Sequence, residues 1–426
     1  MSRYSIFFFF FFSQLIITSP YTLVGRVGHT ASYMDNKIYF LGGMIEKYSD
    51  DTNDFFYLDV SKPFNLDSTL PIFDLSNDAR YIHPHSYGVS SICGPNKDMI
   101  FIMCRAFKDS FSYRFINSEE WVPGTGATDI QWLSAVCNEN GSRIYIYGSG
   151  YDDNEYFMTI LYTTSWISVF LDKNNNNIMN YLSLAILLPK GRIVYIGNRY
   201  IDNELVNFRN IHIYDTNDGT WINMVNNFIK EMPIFYSLHK ISQDGLIIIY
   251  GGIKEMRPVP DQILVLDTKV NPFTWSIPNI DPAPSSAPTS GHTATLVGNY
   301  MIIAFGNYNH TPQNIVYSDQ IHMIDVSEKN NYKWVKSFTP NNTYTIESAS
   351  TTESESTTES ASTTESASAT KSANATKSPG AAHAAIIGGT TCVIATVIII
   401  ISVSYLLYRR KRTVIYAPQA KHAINC

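Results

Sequence analysis

Short apolar segments, each stopped by a glycine or its substitute, recur six times between Gly28 and Trp334. They are rich in β-branched and aromatic residues and apolar at consecutive positions, as in strands buried on both faces. Their sequences are IYFLG, IFIMC, IYIYG, IVYIG, IIIYG and IIAFG. The stops, which are 62, 44, 49, 54 and 55 residues apart, are Gly42-Gly43, Cys104-Arg105, Gly148-Ser149, Gly197-Asn198, Gly251-Gly252 and Gly306-Asn307. A period of about fifty residues predicts repeated β-blades.

A variable loop and a second apolar strand follow each stop, usually with an Asp and a Trp after them. Glycine is expected where the chain leaves the crowded middle of a blade, at a backbone angle or in a space that a β-carbon would obstruct. The first unit has no Trp, and Ile72 or Phe73 is expected in its place. The tryptophans of the other units, 45, 55, 54 and 59 residues apart, are Trp121, Trp166, Trp221, Trp275 and Trp334.

These features resemble the kelch-repeat family, whose repeat has a double glycine after the second strand, an aromatic strand and a tryptophan. The units that fit best are the first, fifth and sixth, with Gly28-His29-Thr30, Gly42-Gly43, Gly251-Gly252, Asp267, Trp275, Gly291-His292-Thr293, Asp325 and Trp334. The second unit has Cys104-Arg105 at the doublet, and the third, fourth and sixth keep only the first glycine. The resemblance implies an all-β, six-bladed kelch-type propeller of the galactose-oxidase-like superfamily, with four antiparallel strands per blade around a central channel.

The ring is expected to close simply, because the chain starts on a first strand near Val27 to Tyr33 and finishes on a fourth strand near Lys333 to Phe338. Residues Tyr21 to Val24 could still add to the last blade.

The segments outside the repeats predict the membrane topology. Ile6 to Ile17 is an apolar run after Arg3 that is too short to span a bilayer. Such a run is typical of a signal peptide, which is assigned to residues 1–20. A buried strand is the alternative. The propeller is assigned to residues 21–340. Ala384 to Tyr408 has no charge and precedes four basic residues, which predicts a transmembrane helix over 384–408 with the tail, 409–426, in the cytoplasm. The chain is therefore expected to be a single-pass type I protein of a cell or secretory-pathway membrane.

Residues 341–383 form a low-complexity segment of Ser/Thr-rich hexads, with no side chain able to build a core. An O-glycosylated, disordered stalk is expected, with a plain flexible linker as the alternative. The four N-glycosylation sequons, of which the second and third are expected to be the most occupied, are Asn140, Asn309, Asn341 and Asn374.

Charge and cysteine content limit the possible partners. The whole chain carries −6 and the tail holds five basic residues and no acidic ones, so the remainder carries −11. An acidic propeller is a poor nucleic-acid binder. Cys93 and Cys137 hold equivalent places in adjacent units, and Cys93 shares a hairpin with Cys104. Either pairing stays open, but buried free thiols are favoured, since this fold needs no disulfide to supply its core.

The candidate chemistry favours binding over catalysis. His29 and His292 lie in matching Gly-His-Thr motifs, with His85 as the counterpart in the second unit. Their recurrence favours structural hydrogen bonds over metal binding, and no metal or cofactor is expected. Kelch-type copper radical oxidases, similar only in having a propeller, are the alternative function. They need a further β-domain, for which the stalk leaves no room, and no hydrolase, metalloprotease or nucleotide motif is present.

Five loops that follow the glycine stops are expected on one face of the ring: 44–54, 149–156, 198–210, 253–261 and 307–319. Loops on a rigid scaffold are where recognition usually lies. They predict a binding face for a protein or a glycan, and the candidate residues on it are Tyr48, Asp50, Asp51, Tyr151, Asp152, Asp153, Tyr200, Tyr308 and Tyr317. For any one of these residues, a solvated turn is the alternative.

Overall fold

A computed structural model of the chain describes residues 21–45, 50–106, 109–116, 120–123, 131–149, 156–172, 184–196, 210–226, 239–241, 245–254, 257–311 and 314–340. The chain divides into two units, Met1–Ile346 and Glu347–Cys426, and all described residues belong to the first. The predicted signal peptide, stalk, transmembrane helix and tail lie outside the described residues. Within the described part, no helix has the length and apolar character needed to cross a bilayer.

The described residues form six blade sheets, which confirms the predicted six-bladed β-propeller. Five have four antiparallel strands, and the sixth has the same four plus the short strand β24 (Asn279–Ile280), which pairs in parallel with its outermost strand. Blade 1 contains β1 (Thr30–Met34), β2 (Lys37–Leu41), β3 (Phe55–Asp59) and β5 (Ile72–Asp74). Blade 2 contains β6 (Val89–Cys93), β7 (Met99–Ala106), β8 (Asp109–Ile116) and β9 (Glu120–Pro123). Blade 3 contains β10 (Gln131–Cys137), β11 (Arg143–Ser149), β12 (Tyr156–Tyr162) and β13 (Ser168–Asp172).

Blade 4 contains β14 (Leu184–Leu188), β15 (Arg192–Ile196), β16 (Asn210–Asp215) and β17 (Thr220–Val225). Blade 5 contains β18 (His239–Ile241), β19 (Leu246–Tyr250), β22 (Ile263–Asp267) and β23 (Thr274–Ser276). Blade 6 contains β25 (Thr293–Val297), β26 (Tyr300–Ala304), β29 (Ile321–Asp325) and β30 (Asn331–Val335). The shorter strands between these are β4 (Phe64–Asn65), β20 (Ile253–Lys254), β21 (Arg257–Pro258), β24 (Asn279–Ile280), β27 (Asn307–Thr311), β28 (Asn314–Tyr317) and β31 (Ser337–Phe338). The six apolar segments of the sequence are the second strands.

The ring closes without exchanging a strand between its ends, because each blade is built from one continuous stretch of chain. The first strands β1, β6, β10, β14, β18 and β25 are neighbours in that order, and β25 lies beside β1. A short pairing of β31 with β4 also ties the last blade to the first. Tyr21 to Val24 add no strand to the last blade; instead, Tyr21 stacks on Phe56 of blade 1 with 4.8 Å between the ring centroids.

Among the described residues, the buried apolar side chains form six clusters, one at each junction between neighbouring blades. The repeated tryptophans join these clusters from the outer part of a blade and reach the blade before it. Trp121 packs on Phe55 at 5.2 Å and Trp334 on Tyr250 at 5.6 Å, both measured between ring centroids. Trp166 differs, since it lies in the turn before β13 rather than in the strand.

Strand register shows which residue replaces the tryptophan in blade 1. Trp275 and Trp334 are each paired with the residue that precedes the last Asp of the third strand. In blade 1 that residue is Leu58, and its partner is Ile72. Ile72 is half-buried against the cluster between blades 6 and 1, whereas Phe73 is exposed. The substitute is therefore Ile72.

Cys93 and Cys137 form a disulfide with 5.5 Å between their Cα atoms, while Cys104 is free and buried. The two paired residues end the first strands of blades 2 and 3, which places them side by side in the inner ring. The favoured prediction of free thiols is therefore wrong for this pair. Adjacency of equivalent positions in neighbouring blades brings the two sulfur atoms together.

We expect chemical mapping of the oxidised protein to recover one peptide containing both Cys93 and Cys137. In denaturant, reduction should increase the number of alkylated thiols by two, because it releases Cys93 and Cys137. Cys104 is free and is alkylated in denaturant with or without reduction. Burial raises the pKa of the Cys104 thiol to about 12, so this residue should resist alkylation while the protein is folded. Mass spectrometry of peptides from non-reduced protein measures both results, and a linked peptide containing Cys104 would contradict the pairing.

Candidate functional site

Loops at one end of the ring are joined to one another by backbone hydrogen bonds. At this end, in blades 1 and 5, the loop after the second strand meets the connection that leads into the next blade. The amide of Gly43 donates to the carbonyl of His85 at 2.8 Å, and the amide of Gly252 donates to the carbonyl of Thr289 at 2.7 Å. These bonds link blade 1 to blade 2 and blade 5 to blade 6, so the loops are held on a rigid base. We call this end the loop face.

The recurring histidines lie beneath the loop face and connect blades. His29 of blade 1 is 2.8 Å through Nε2 from Oγ1 of Thr293 in blade 6. His292 of blade 6 donates from Nε2 to the carbonyl of Tyr250 in blade 5 at 3.2 Å. Both rings are buried. The arrangement is that of side chains that bridge neighbouring blades.

The glycine stops are spaced to fit these rings. A β-carbon on Gly251 would lie 2.7 Å from Cε1 of His292, and one on Gly42 would lie 2.8 Å from Nε2 of His85. Both glycines also have left-handed backbone, with φ of +85° and +71°. In each case the glycine ends the second strand of one blade and the histidine begins the next blade. Space and backbone angle therefore both exclude a side chain.

Two stops behave differently from the double glycines. Gly148 stays inside β11, paired with Phe157, and the strand runs on through it. Gly197 lies outside the described residues. In blade 2, Cys104 occupies the position of the first glycine and is fully buried in the cluster between blades 1 and 2.

The electrostatics of the buried rings favour neutral imidazoles. Burial lowers the pKa of His29 well below its usual value, and the positive charge of Arg26 lowers it further. Burial lowers the pKa of His292 to about 4, with hydrogen bonds to backbone carbonyls acting in the opposite direction. Over the described ranges, no three His, Cys, Asp or Glu side chains come together in a way that could hold a metal ion.

The lowered histidine pKa values predict that the propeller loses stability in mild acid. Between about pH 6.5 and pH 4 the unfolded chain binds protons at His29 and His292 that the folded chain does not, so the free energy of unfolding falls as the pH falls. The expected slope is at most about 1.4 kcal/mol per pH unit for each histidine. Tm measured from pH 7 to pH 5 should drop, and less steeply in His292→Gln. A control variant at an exposed residue that does not titrate, Asn299→Ala, should keep the original slope.

Of the predicted binding residues, four lie in the described part of the loop face. Asp50 and Asp51 are both exposed, in the loop after β2. Tyr308 and Tyr317 are half-buried in the hairpin of β27 and β28 in blade 6. The hydroxyl of Tyr317 lies 3.4 Å from the sulfur of Met44, so the loops of blades 6 and 1 meet. The others lie outside the described residues: Tyr48, Tyr151, Asp152, Asp153 and Tyr200.

The N-glycosylation sequons also lie partly within and partly outside the described residues. Asn140 is exposed in the turn between β10 and β11, where its Oδ1 accepts a hydrogen bond from the hydroxyl of Ser142 at 2.6 Å. Asn309 is part of β27 on the loop face. Asn341 and Asn374 lie outside the described residues.

Arg26 is a structural residue of this face that the repeat pattern does not identify. It is fully buried, and its guanidinium donates to Oδ2 of Asp54 at 3.1 Å and to the carbonyl of Gly42 at 3.2 Å. The guanidinium carbon lies 4.9 Å from the ring centroid of Phe56 and 5.4 Å from that of Phe305. Because Phe56 belongs to blade 1 and Phe305 to blade 6, Arg26 connects the two ends of the ring. Its only sequence signal is a charge next to the first Gly-His-Thr motif.

Comparisons with known proteins agree with the fold. No protein-family model matches the chain, and no curated protein matches it. Among solved structures, the chain is similar to the propeller described as "Structure of YjhT", with a TM-score of 0.54 and 10% sequence identity. The match covers 74% of this chain and 99% of that one. At this identity the similarity shows a shared propeller fold.

Proposed function

We propose that the chain is a kelch-type propeller that serves as an extracellular recognition or adhesion module of a type I single-pass membrane protein. In this proposal it binds a protein or a glycan through its loop face. The observation that carries the proposal is the contact between the loops of blades 6 and 1, where the hydroxyl of Tyr317 meets the sulfur of Met44. The backbone of Met44 is fixed by hydrogen bonds to Val27, at the start of the ring. Binding residues are disproportionately found on loops that a rigid scaffold positions.

The extracellular location rests on two further features. The bond between Cys93 and Cys137 is typical of oxidising compartments, because disulfides seldom persist in the cytosol. The apolar segments at 6–17 and 384–408 supply a signal peptide and a membrane anchor in the expected order. Exposed Asn140 then offers a glycosylation site on the propeller itself.

Topology is tested on intact cells. Added protease should remove the propeller, while an epitope placed after Cys426 should stay protected until the cells are permeabilised. Treatment with an N-glycan amidase should increase gel mobility, and replacing Asn140 by Gln should remove part of that shift. A tail epitope that antibodies reach without permeabilisation would reverse the proposed orientation.

The binding role is tested with a triple variant of described loop-face residues, Asp50→Ala, Asp51→Ala and Tyr308→Ala. Asp50 and Asp51 are exposed and Tyr308 is half-buried in a surface hairpin, so the variant should fold with only a small drop in Tm. We expect it to lose at least about tenfold in affinity for any ligand that wild-type protein binds in a glycan array or a screen of displayed ectodomains.

A matched control carries three exposed substitutions at the opposite end of the ring, Asn96→Ala, Lys269→Ala and Asn299→Ala. This control should bind as the wild type does. If the control loses the ligand and the loop-face variant keeps it, the binding site lies at the other end of the propeller. The class of ligand that the screens identify decides between glycan and protein recognition.

A further inference from the structure

The connection between blades 1 and 2, Leu75–Gly88, displays an unusually exposed aromatic side chain. Tyr81 is 79% exposed, more than any other large apolar or aromatic side chain in the described part of the chain, where Ile167 follows at 61%. A single exposed residue needs no explanation by itself. The structure around Tyr81, however, holds this side chain outward. We call Leu75–Gly88 the blade 1–2 connection.

Two buried residues fix the backbone on either side of the exposed pair Arg80-Tyr81. Ala79 is fully buried and Ile82 is 2% exposed, and both belong to the cluster between blades 1 and 2. The side-chain amide of Asn53, in the loop after β2, donates to the carbonyls of Ala79 and Ile82 at 3.1 Å each. Arg80 and Tyr81 therefore stand on a short, fixed arch. A fixed arch loses little conformational entropy when a partner binds.

The two exposed side chains are arranged as a unit. The guanidinium carbon of Arg80 lies 5.6 Å from the ring centroid of Tyr81, and Nε of Arg80 donates to the carbonyl of Asn77 at 3.1 Å. Among the described residues, no hydrogen bond or ion pair engages Nη1 or Nη2 of Arg80. These two groups form the planar fork that binds a carboxylate through two parallel hydrogen bonds.

The connection contains the residue types that dominate binding hot spots. Between Leu75 and Gly88 there are one Arg and two Tyr, together with one Asp and two Ser and with neither Lys nor Glu. Interface cores and binding hot spots are enriched in Tyr and Arg and depleted in Lys and Glu. Tyr87 also has left-handed backbone, with φ of +54°, and its amide donates to the carbonyl of Gly28 at 2.6 Å. Such strain in a bulky residue is common at binding sites.

We propose that the blade 1–2 connection is the docking point for a protein segment that carries a carboxylate beside an apolar or aromatic side chain. The carboxylate pairs with the fork of Arg80, and the neighbouring side chain packs on the ring of Tyr81. A polyanionic glycan fits less well, because Arg80 is the one permanently charged cation of the connection and Asp78 lies two residues before it. The inference rests on the proposed function, since it places the partner on the same loop face.

The test selects short random peptides from a display library against the full chain in detergent and then measures the affinity of each recovered peptide for Arg80→Glu and for Tyr81→Ala. We expect the recovered peptides to carry Asp or Glu within a few residues of an aromatic or aliphatic residue. Their affinity should fall at least about tenfold for Arg80→Glu and for Tyr81→Ala. A peptide in which Lys replaces the carboxylate should bind Arg80→Glu better than it binds the wild type.

The chain offers a matched control in Arg143 and Tyr162, an exposed arginine at 5.5 Å from a tyrosine ring in blade 3. Arg143→Glu should leave peptide binding unchanged, and Tm measurements should show all variants folded. Peptides that bind Arg80→Glu and Tyr81→Ala as tightly as the wild type overturn the inference. So does a glycan-array ligand whose binding depends on Tyr81 when no peptide is recovered, because the site is then a saccharide site.

The outcomes also separate this inference from the proposed function. If the loop-face triple variant loses a ligand that Arg80→Glu and Tyr81→Ala keep, recognition by the loop face stands and the docking point is elsewhere. If all of these variants keep the ligand, both proposals fail.

Discussion

Replacing Trp275 with alanine is expected to lower the free energy of unfolding of the propeller by about 3 to 5 kcal/mol. Trp275 is only 7% exposed and lies in the cluster between blades 4 and 5, where it is paired with Leu266 and packs near Phe273. Truncation removes the largest side chain of that junction and leaves a cavity that rigid neighbouring sheets fill poorly. Denaturant unfolding of the full chain, followed by tryptophan fluorescence and circular dichroism, measures the loss.

The equivalent residue of blade 1 is the natural control. Ile72 occupies the same register position but is half-buried and smaller, so Ile72→Ala should cost less than Trp275→Ala. Trp275→Phe, which keeps an aromatic ring, should fall between the wild type and alanine. A loss below about 1 kcal/mol for Trp275→Ala would show that the outer tryptophans do not hold the blades together.

The propeller is predictable from the sequence because its second strands lie in the most buried part of each blade. Strands such as β19 and β26 are covered on both faces by neighbouring blades, so their apolar runs stand out at a regular period. The outermost strands carry a weaker signal. For blade 1 the choice between Ile72 and Phe73 depended on register, which shifts a residue from one face to the other and is not visible in composition.

Long-range contacts account for most of what the sequence did not reveal. The disulfide depends on two first strands lying side by side, and sequence separation alone cannot distinguish Cys137 from Cys104 as the partner of Cys93. The environment of Arg26 is built from Asp54, Phe56 and Phe305, three segments that meet only when the ring closes.

The candidate site was predictable only in outline. The loops after the second strands follow directly from the repeat, and Asp50 and Tyr308 lie where they were expected. The blade 1–2 connection has no periodic signal, since the exposure of Tyr81 results from the burial of its neighbours Ala79 and Ile82. Such outward display becomes visible only when the anchoring core is known.

Replacing Asp54 with asparagine is expected to destabilise the closed ring by about 3 kcal/mol, although the substitution removes a single charge. The carboxylate of Asp54 is the partner of a guanidinium that is completely buried between Phe56 and Phe305. Without it the buried charge of Arg26 keeps neutral acceptors such as the carbonyl of Gly42 but has no counter-ion. The loss is placed at the lower end of the range for broken buried pairs because Asp54 is 33% exposed and water weakens its attraction.

A double-mutant cycle separates the charge effect from packing. Arg26→Met leaves Asp54 able to reach water, and the apolar side chain suits the site between the two rings, so this variant should cost less than Asp54→Asn. The double variant Arg26→Met, Asp54→Asn should be more stable than Asp54→Asn alone, with a coupling energy of about 1 kcal/mol or more. Urea unfolding of the four proteins measures the cycle.

Asp67→Asn supplies the matched control, because it breaks another ion pair that joins blade 1 to the end of blade 6. Oδ1 of Asp67 lies 2.9 Å from Nζ of Lys336, but both side chains are about two-thirds exposed. An exposed pair of this kind contributes between about 0 and 1 kcal/mol, so Asp67→Asn should leave the unfolding curve nearly unchanged. Equal losses of unfolding free energy for Asp54→Asn and Asp67→Asn would show that the burial of Arg26 does not increase the contribution of its ion pair to stability. A large loss for Asp54→Asn alone, reversed in part by Arg26→Met, would instead identify the buried arginine as the residue that makes ring closure depend on Asp54.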